Sequence, residues 1–319
     1  MAKAREVKTS SVRECRFYIR YIANNFQILN KENIINNFSD TEICCRIINQ
    51  HIRNAFNYDK DIEECILNLE TQFLKNTIPD DNFLWLKEDK RATFWVWGQL
   101  ALKGYMNDEI NRVLNTSPET FWYKEAKAIL SPVNHEQRYN AIIDVIDYIC
   151  SVSYSHCTEI TVWINNKLLD WRHAQKTLVK VPWLSPENEK ECYEAYNYIK
   201  KRQEEYKETE DDNFFPVKIP EPLNAEEACL SFYALHDLWN STPERSHKIN
   251  NTMLATRSQR IRRQKIAEEK RMESLSEESK EKLKFLARHY NCSETSLLDM
   301  LISDRYRGVC VSVNNKSQQ

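Results

Sequence analysis

The chain has 319 residues, 41% of them hydrophobic and 29% charged, with a formal net charge of −2. That balance fits a globular protein with room for two domains and excludes a disordered polyelectrolyte. It also gives the whole molecule no electrostatic attraction for nucleic acid, so any such contact must come from a local patch.

Glycine is the most informative residue, because only three occur (Gly98, Gly104 and Gly308). Hairpin turns, phosphate-cradling loops and dinucleotide folds need glycine where the backbone turns left-handed or approaches a ligand closely. Helices joined by Asn, Asp, Ser and Pro loops do not. The expected class is therefore all-α. The ten cysteines form no CxxC and no zinc-spaced cluster with histidine, so they read as reduced thiols packed as small hydrophobes, with no metal and no cofactor implied. No signal peptide or membrane-length run is present, so the expectation is a cytoplasmic protein with no membrane partner.

In chain order, a helical period runs from about Ser11 to Leu29 through Phe17, Ile19, Tyr21, Ile22 and Phe26. Ser39 or Asp40 can cap a second helix carrying Ile43, Ile47, Ile48, Ile52 and Phe56, and Asp59 or Asp61 opens a third. The tryptophan-rich span from Phe83 to Tyr105 reads as a core helix, since basic residues do not alternate with its aromatics as base-stacking would require. Further helices are expected after Pro118 and after Asn134. The β-branched segment TEITVWINNKLLDW also reads as helix, because no glycine turn is available for a hairpin. A charged helix spans about Glu187 to Glu205.

The acidic run ETEDD and the segment with Pro216, Pro220 and Pro222 read as a linker over 211–224. It would divide a helical domain (1–210) from a C-terminal domain (225–308), followed by a disordered tail (309–319). No HExxH, GxSxG or metal-spaced histidine pair occurs, so an enzyme is not expected.

From Pro243 to Arg271 nine basic residues face three acidic ones, a local net of +6. Arg257, Arg260, Arg262, Arg263 and Lys265 are the dense part and are candidate phosphate contacts. A potentially extended stretch, Lys270 to Leu275, follows. Ser276 then caps a helix with Leu283, Leu286, Ala287 and Tyr290 at helical spacing, and Ser293 caps another with Leu297, Leu298, Leu301 and Ile302.

The leucine at 275, the Ser276–Glu277–Glu278 helix start, the Leu283–Leu286–Ala287 spacing and the serine-capped second helix resemble the ribbon-helix-helix DNA-binding proteins of the CopG, Arc and MetJ class. The Arg-rich stretch before them also looks like the MatP family, in which a helical domain precedes the ribbon-helix-helix. The resemblance covers roughly the last fifth of the chain. It implies a homodimer on double-stranded DNA, one short strand from each chain pairing into a ribbon in the major groove. On that pattern Lys270, Met272 and Ser274 face bases, and the backbone at Ser293 holds a phosphate. Leu275, Leu283, Leu286, Leu297, Leu298 and Leu301 form the dimer core. Arg271 and Glu273 depart from the pattern, standing where apolar residues usually face inward.

The expected function is thus sequence-specific DNA binding, as a transcriptional regulator or a nucleoid-associated organiser, with a possible protein partner for the N-terminal domain. The competing reading is a helical interaction scaffold without DNA. A two-chain strand at 270–275 supports the first reading, and a continuous helix from Pro243 through Lys282 supports the second.

Overall fold

The computed structural model describes residues 5–25, 40–103, 105–129, 131–176, 178–209, 217–239, 243–273 and 275–316. Among the described residues there is no strand, and the chain divides into two units, Met1–Ser241 and Thr242–Gln319. The all-α expectation holds.

The first unit opens with α1 (Val12–Asn25), α2 (Thr41–Ala55) and α3 (Asp59–Asn76). Asp40 caps α2, accepting from the amides of Glu42 and Ile43. Cys44, Ile48 and Ile52 make the inward stripe of α2, and Ile62, Cys65, Ile66 and Leu69 that of α3. Both pack on Tyr18, Ile19 and Ile22 of α1, and Phe73 meets Phe17 edge-on at 5.4 Å between ring centroids. The segment after Asp59 starts without a side-chain cap, since Tyr58 occupies that position.

A 3₁₀ turn (Asp80–Phe83) and α4 (Leu84–Glu88) lead into α5 (Lys90–Gly98). Six of its nine residues are buried, so α5 lies in the interior rather than on a face. Trp97 donates to the Tyr123 hydroxyl at 2.9 Å. This settles the tryptophan-rich span as core. A π-helical turn (Gln99–Lys103), α6 (Tyr105–Val113) and α7 (Trp122–Glu125) follow. They are succeeded by α8 (His135–Val152), α9 (Tyr154–Ala174), α10 (Glu189–Thr209) and α11 (Ala225–Leu238). The β-branched segment is helical within α9, as expected.

The segment expected to be a linker does not separate two domains. Val217 donates its amide to Gln203, the Tyr196 hydroxyl bonds Glu221 at 3.0 Å, and Tyr193 reaches the Pro222 carbonyl. Residues 211–216 of the expected linker lie outside the described residues; from Val217 the chain runs back along α10, and α11 returns into the core. A Cβ on Gly98 would sit 2.2 Å from Leu238 Cδ1, so the glycine of α5 is what lets α11 approach. The division between units falls after α11.

Ion pairs with a buried partner tie distant segments of the first unit together. Arg13 of α1 binds Asp147 of α8 through two nitrogens at 2.5 and 2.8 Å, and also pairs with Asp80. Arg138 of α8 meets Glu227 of α11 at 2.7 Å, and Arg91 of α5 clasps Asp237 of α11 at 2.6 and 2.7 Å. Burial disfavours the charge of Arg13, yet Asp147 and Asp80 hold its pKa above the ordinary value. Burial pushes the carboxyl groups of Asp147 and Asp237 upward against the pull of their arginines.

Turns that would ordinarily take glycine use other residues here. Asn115, Lys127 and Asn291 adopt positive φ near 50° at helix ends. Each is closed by a bond from the next residue's amide to a carbonyl five residues earlier: Thr116 to Asn111, Ala128 to Tyr123, and Cys292 to Ala287.

His236 of α11 is 6% exposed, edge-on to Phe232 at 4.9 Å, with no hydrogen-bond partner for either ring nitrogen among the described residues. Burial, reinforced by nearby Arg91, lowers its pKa to about 4. The folded chain keeps the ring neutral while the unfolded chain protonates it below about pH 6.5. The stability it supports is therefore complete above pH 6.5 and is lost as pH falls toward 4, by about 3 kcal/mol in all. Asp147 and Asp237 act in the opposite sense, so the informative quantity is a difference between variants. Urea unfolding of wild type and His236→Leu between pH 7.5 and 4.5 should show a flatter acid limb in the variant. Equal slopes would contradict this.

Candidate nucleic-acid interface

The second unit consists of α12 (Pro243–Glu273), α13 (Glu277–His289) and α14 (Glu294–Lys316). It carries sixteen basic against ten acidic residues, net +6, so the first unit is net −8. The near-neutral total hides a strong segregation of charge.

The 31 residues of α12 make a rod about 46 Å long. It runs into the stretch expected to be a strand as far as Glu273, and Lys270 and Met272 lie on helix. The physical reason is local. Ala267, Glu268, Glu269, Lys270, Arg271 and Met272 are strong helix formers, and a ribbon strand has nothing to pair with until a second chain supplies it. The expected base contact at Ser274 lies outside the described residues.

Arg262, Arg263 and Lys265 are exposed, and Arg257 and Arg260 are partly buried. At about 100° per residue, Arg260 and Arg263 fall within about 60° of each other, and Arg262 and Lys265 fall on the opposite side. The arc between these flanks carries Lys248, Thr252, Ala255, Gln259 and Ile266, all exposed, and Arg257 lies on the arc opposite. Over residues 260–265 positive charge thus lies on two opposite sides of the helix rather than on a single face.

After α12, Ser276 caps α13 by accepting from Ser279, and Glu277 and Glu278 occupy its first turn. Ser293 caps α14, its hydroxyl accepting from the Ser296 amide at 3.1 Å, so that oxygen is committed to the helix start. Both caps were readable in the sequence. Leu283, Ala287 and Leu297 are buried in the hairpin, with Leu275, Leu286 and Leu298 packed partly against them. Leu283 and Leu297, expected in a dimer core, are thus used within one chain, whereas Leu301 is 43% exposed. Phe285, Ile302 and Tyr306 are also largely exposed. The stretch expected to be a disordered tail is instead helical through Lys316.

Among the described residues no group of His, Cys, Asp and Glu is placed to hold a metal ion, and no helix is long and apolar enough to cross a membrane. The cysteines from Cys15 through Cys292 are free thiols. The chain matches no family model, no curated protein and no solved structure.

Proposed function

We propose that this protein binds double-stranded DNA as a homodimer, with α12 seated in a groove and the α13–α14 hairpins forming the contact between chains. One observation carries the reading: basic residues flank α12 on two opposite sides. A single basic face suits a helix lying across one backbone. Two flanks suit a helix between two backbones, as in the major groove, which is about 12 Å wide. Arg260 and Arg263 would then meet one strand's phosphates, and Arg262 and Lys265 the other's.

Thr252, Ala255 and Gln259 would point at base edges, where glutamine can pair with adenine and a small apolar side chain can meet the thymine methyl. Helix through Glu273 favours this seating over a ribbon made by Lys270, Met272 and Ser274. The ribbon-helix-helix arrangement would require residues 270–273 to leave the helix when two chains pair.

Among the described residues the hairpin buries three side chains, a core too small to be stable without further cover. A second copy applied over Leu301, Ile302 and Phe285 supplies that cover. The same exposed residues support the alternative, a scaffold that docks a protein partner without DNA.

The deciding experiment is selection of bound duplexes from a random-sequence pool by the full chain at low and moderate salt. A palindromic motif is the expected result. Salt-sensitive retention without a motif would limit α12 to phosphate contacts, and no retention at low salt would overturn the reading.

A further inference from the structure

Cysteines that no sequence motif links meet across helix pairs in the first unit. Cys15 of α1 is within hydrogen-bond reach of Cys44 and Cys45 of α2, Cys192 of α10 reaches Cys229 of α11, and Cys150 of α8 reaches Cys157 of α9. A thiol pair is oxidised readily only where an oxidant can reach a sulfur that carries charge, and that condition separates the three places. Cys15, Cys44, Cys192 and Cys229 are all buried. Cys45 is half-buried, but its thiol donates to the Thr9 carbonyl at 3.8 Å and burial holds its pKa above the ordinary value. These thiols serve as packing groups.

The α8–α9 pair differs. The two helices are joined through Ser153 alone, and Cys157 is half-buried at this corner with Ser155 and Thr158 exposed beside it. Its partner Cys150 is sealed in the core. The hydrogen bond from the Cys150 thiol holds Cys157 below the usual thiol range, and the same bond, with burial, holds Cys150 above it. Cys157 is also the fourth residue of the 21-residue α9, near the positive end of its dipole, where a thiolate is favoured. One sulfur is thus accessible and readily ionised, while the other is sheltered, protonated and in contact with it. A peroxide-reactive thiol and its resolving partner need that arrangement.

We propose that Cys157 and Cys150 form a reversible oxidation site for a hydroperoxide. The Cys157 thiolate attacks one peroxide oxygen, the O–O bond breaks, and Cys157 becomes a sulfenic acid. With hydrogen peroxide the leaving group is hydroxide, which takes up the proton that Cys157 released on ionising. The Cys150 sulfur then attacks the sulfenic sulfur, and its own proton leaves with the displaced hydroxyl as water. Two thiols and one hydrogen peroxide thus give one disulfide and two waters. The bridge pins the end of α8 to the start of α9, and a dithiol reductant restores both cysteines. The site is independent of DNA binding by α12.

The test is brief treatment of the folded full chain with hydrogen peroxide at neutral pH, followed by mass spectrometry. Cys150 and Cys157 fall together on the tryptic peptide 139–167, which holds no other cysteine. That peptide should lose two hydrogens, recover them with dithiothreitol, and react about tenfold faster than exposed Cys292. With dimedone present, Cys150→Ala should stop at a Cys157 adduct, because no thiol remains to close the bridge. Cys157→Ala, with unchanged helix content, should leave Cys150 reduced. No bridge in the folded wild type, or a Cys157 that reacts no faster than Cys292, would overturn the proposal. So would Cys150 oxidised at the wild-type rate in Cys157→Ala.

Discussion

Replacing Arg138 with methionine should lower the free energy of unfolding by about 3–5 kcal/mol, one of the largest losses available from a single substitution in this chain. Arg138 is 1% exposed and Glu227 6% exposed. The guanidinium holds both carboxylate oxygens, at 2.7 and 2.9 Å, and packs over the Phe94 ring at 4.1 Å. Burial lowers the Arg138 pKa and Glu227 works against that, so the pair is a desolvated charge balanced by one neighbour. Taking the arginine away leaves a carboxylate in the interior with no cation. The double variant Arg138→Met, Glu227→Leu should regain most of the loss, because an apolar pair needs no compensation. Denaturant unfolding of both proteins measures this. A single variant that loses less than about 1 kcal/mol would show that water reaches Glu227.

The second large effect concerns DNA. Alanine at Arg260, Arg262, Arg263 and Lys265 together should weaken duplex binding by about a hundredfold or more at low salt, and reduce the steepness of its salt dependence by about 4 in the log–log slope per bound chain, about 7 for the dimer. Alanine is the best helix former, so α12 itself should persist. Removing only Arg262 and Lys265 should take away about half of the slope, as should removing only Arg260 and Arg263. That symmetry distinguishes a helix between two backbones from one lying across a single backbone, where one pair would carry nearly everything. Anisotropy titrations of a labelled duplex at several salt concentrations give both quantities. Unchanged binding in the four-residue variant would remove α12 from the interface.

Much of the architecture is local in origin and so was legible in the sequence. Asp40, Asn134, Ser276 and Ser293 announce helix starts because a cap needs one side chain and amides two or three residues on. Spacing placed Ile48 and Ile52 correctly on the inward stripe of α2, but Ile43 is 47% exposed and Cys44 takes the inward place. Asn115, Lys127 and Asn291 explain how a glycine-poor chain ends its helices. What spacing could not reveal is partnership across the fold. Arg13 and Asp147 are 134 residues apart, and no local pattern marks either as buried. Pro220 and Pro222, just before α11, signalled a break in helix correctly. They did not say whether the chain departs or folds back, which Gln203 and Tyr196 decide. At 270–275 a resemblance suggested a strand where local propensity favours helix, and strand pairing would have to come from a second chain.

The position of α11 also bears on how the chain reaches this fold during synthesis. Arg91 waits 146 residues for Asp237, and Arg138 waits 89 for Glu227. Until that segment leaves the ribosome, α5 lacks the cover it finds against Leu238, and two arginines destined for the interior have no counter-ion. The first three helices can close early on their own apolar cluster. The rest of the unit must stay open until its last helix arrives, so a nascent chain stalled before residue 225 would present its tryptophan-rich centre to chaperones rather than to a finished core.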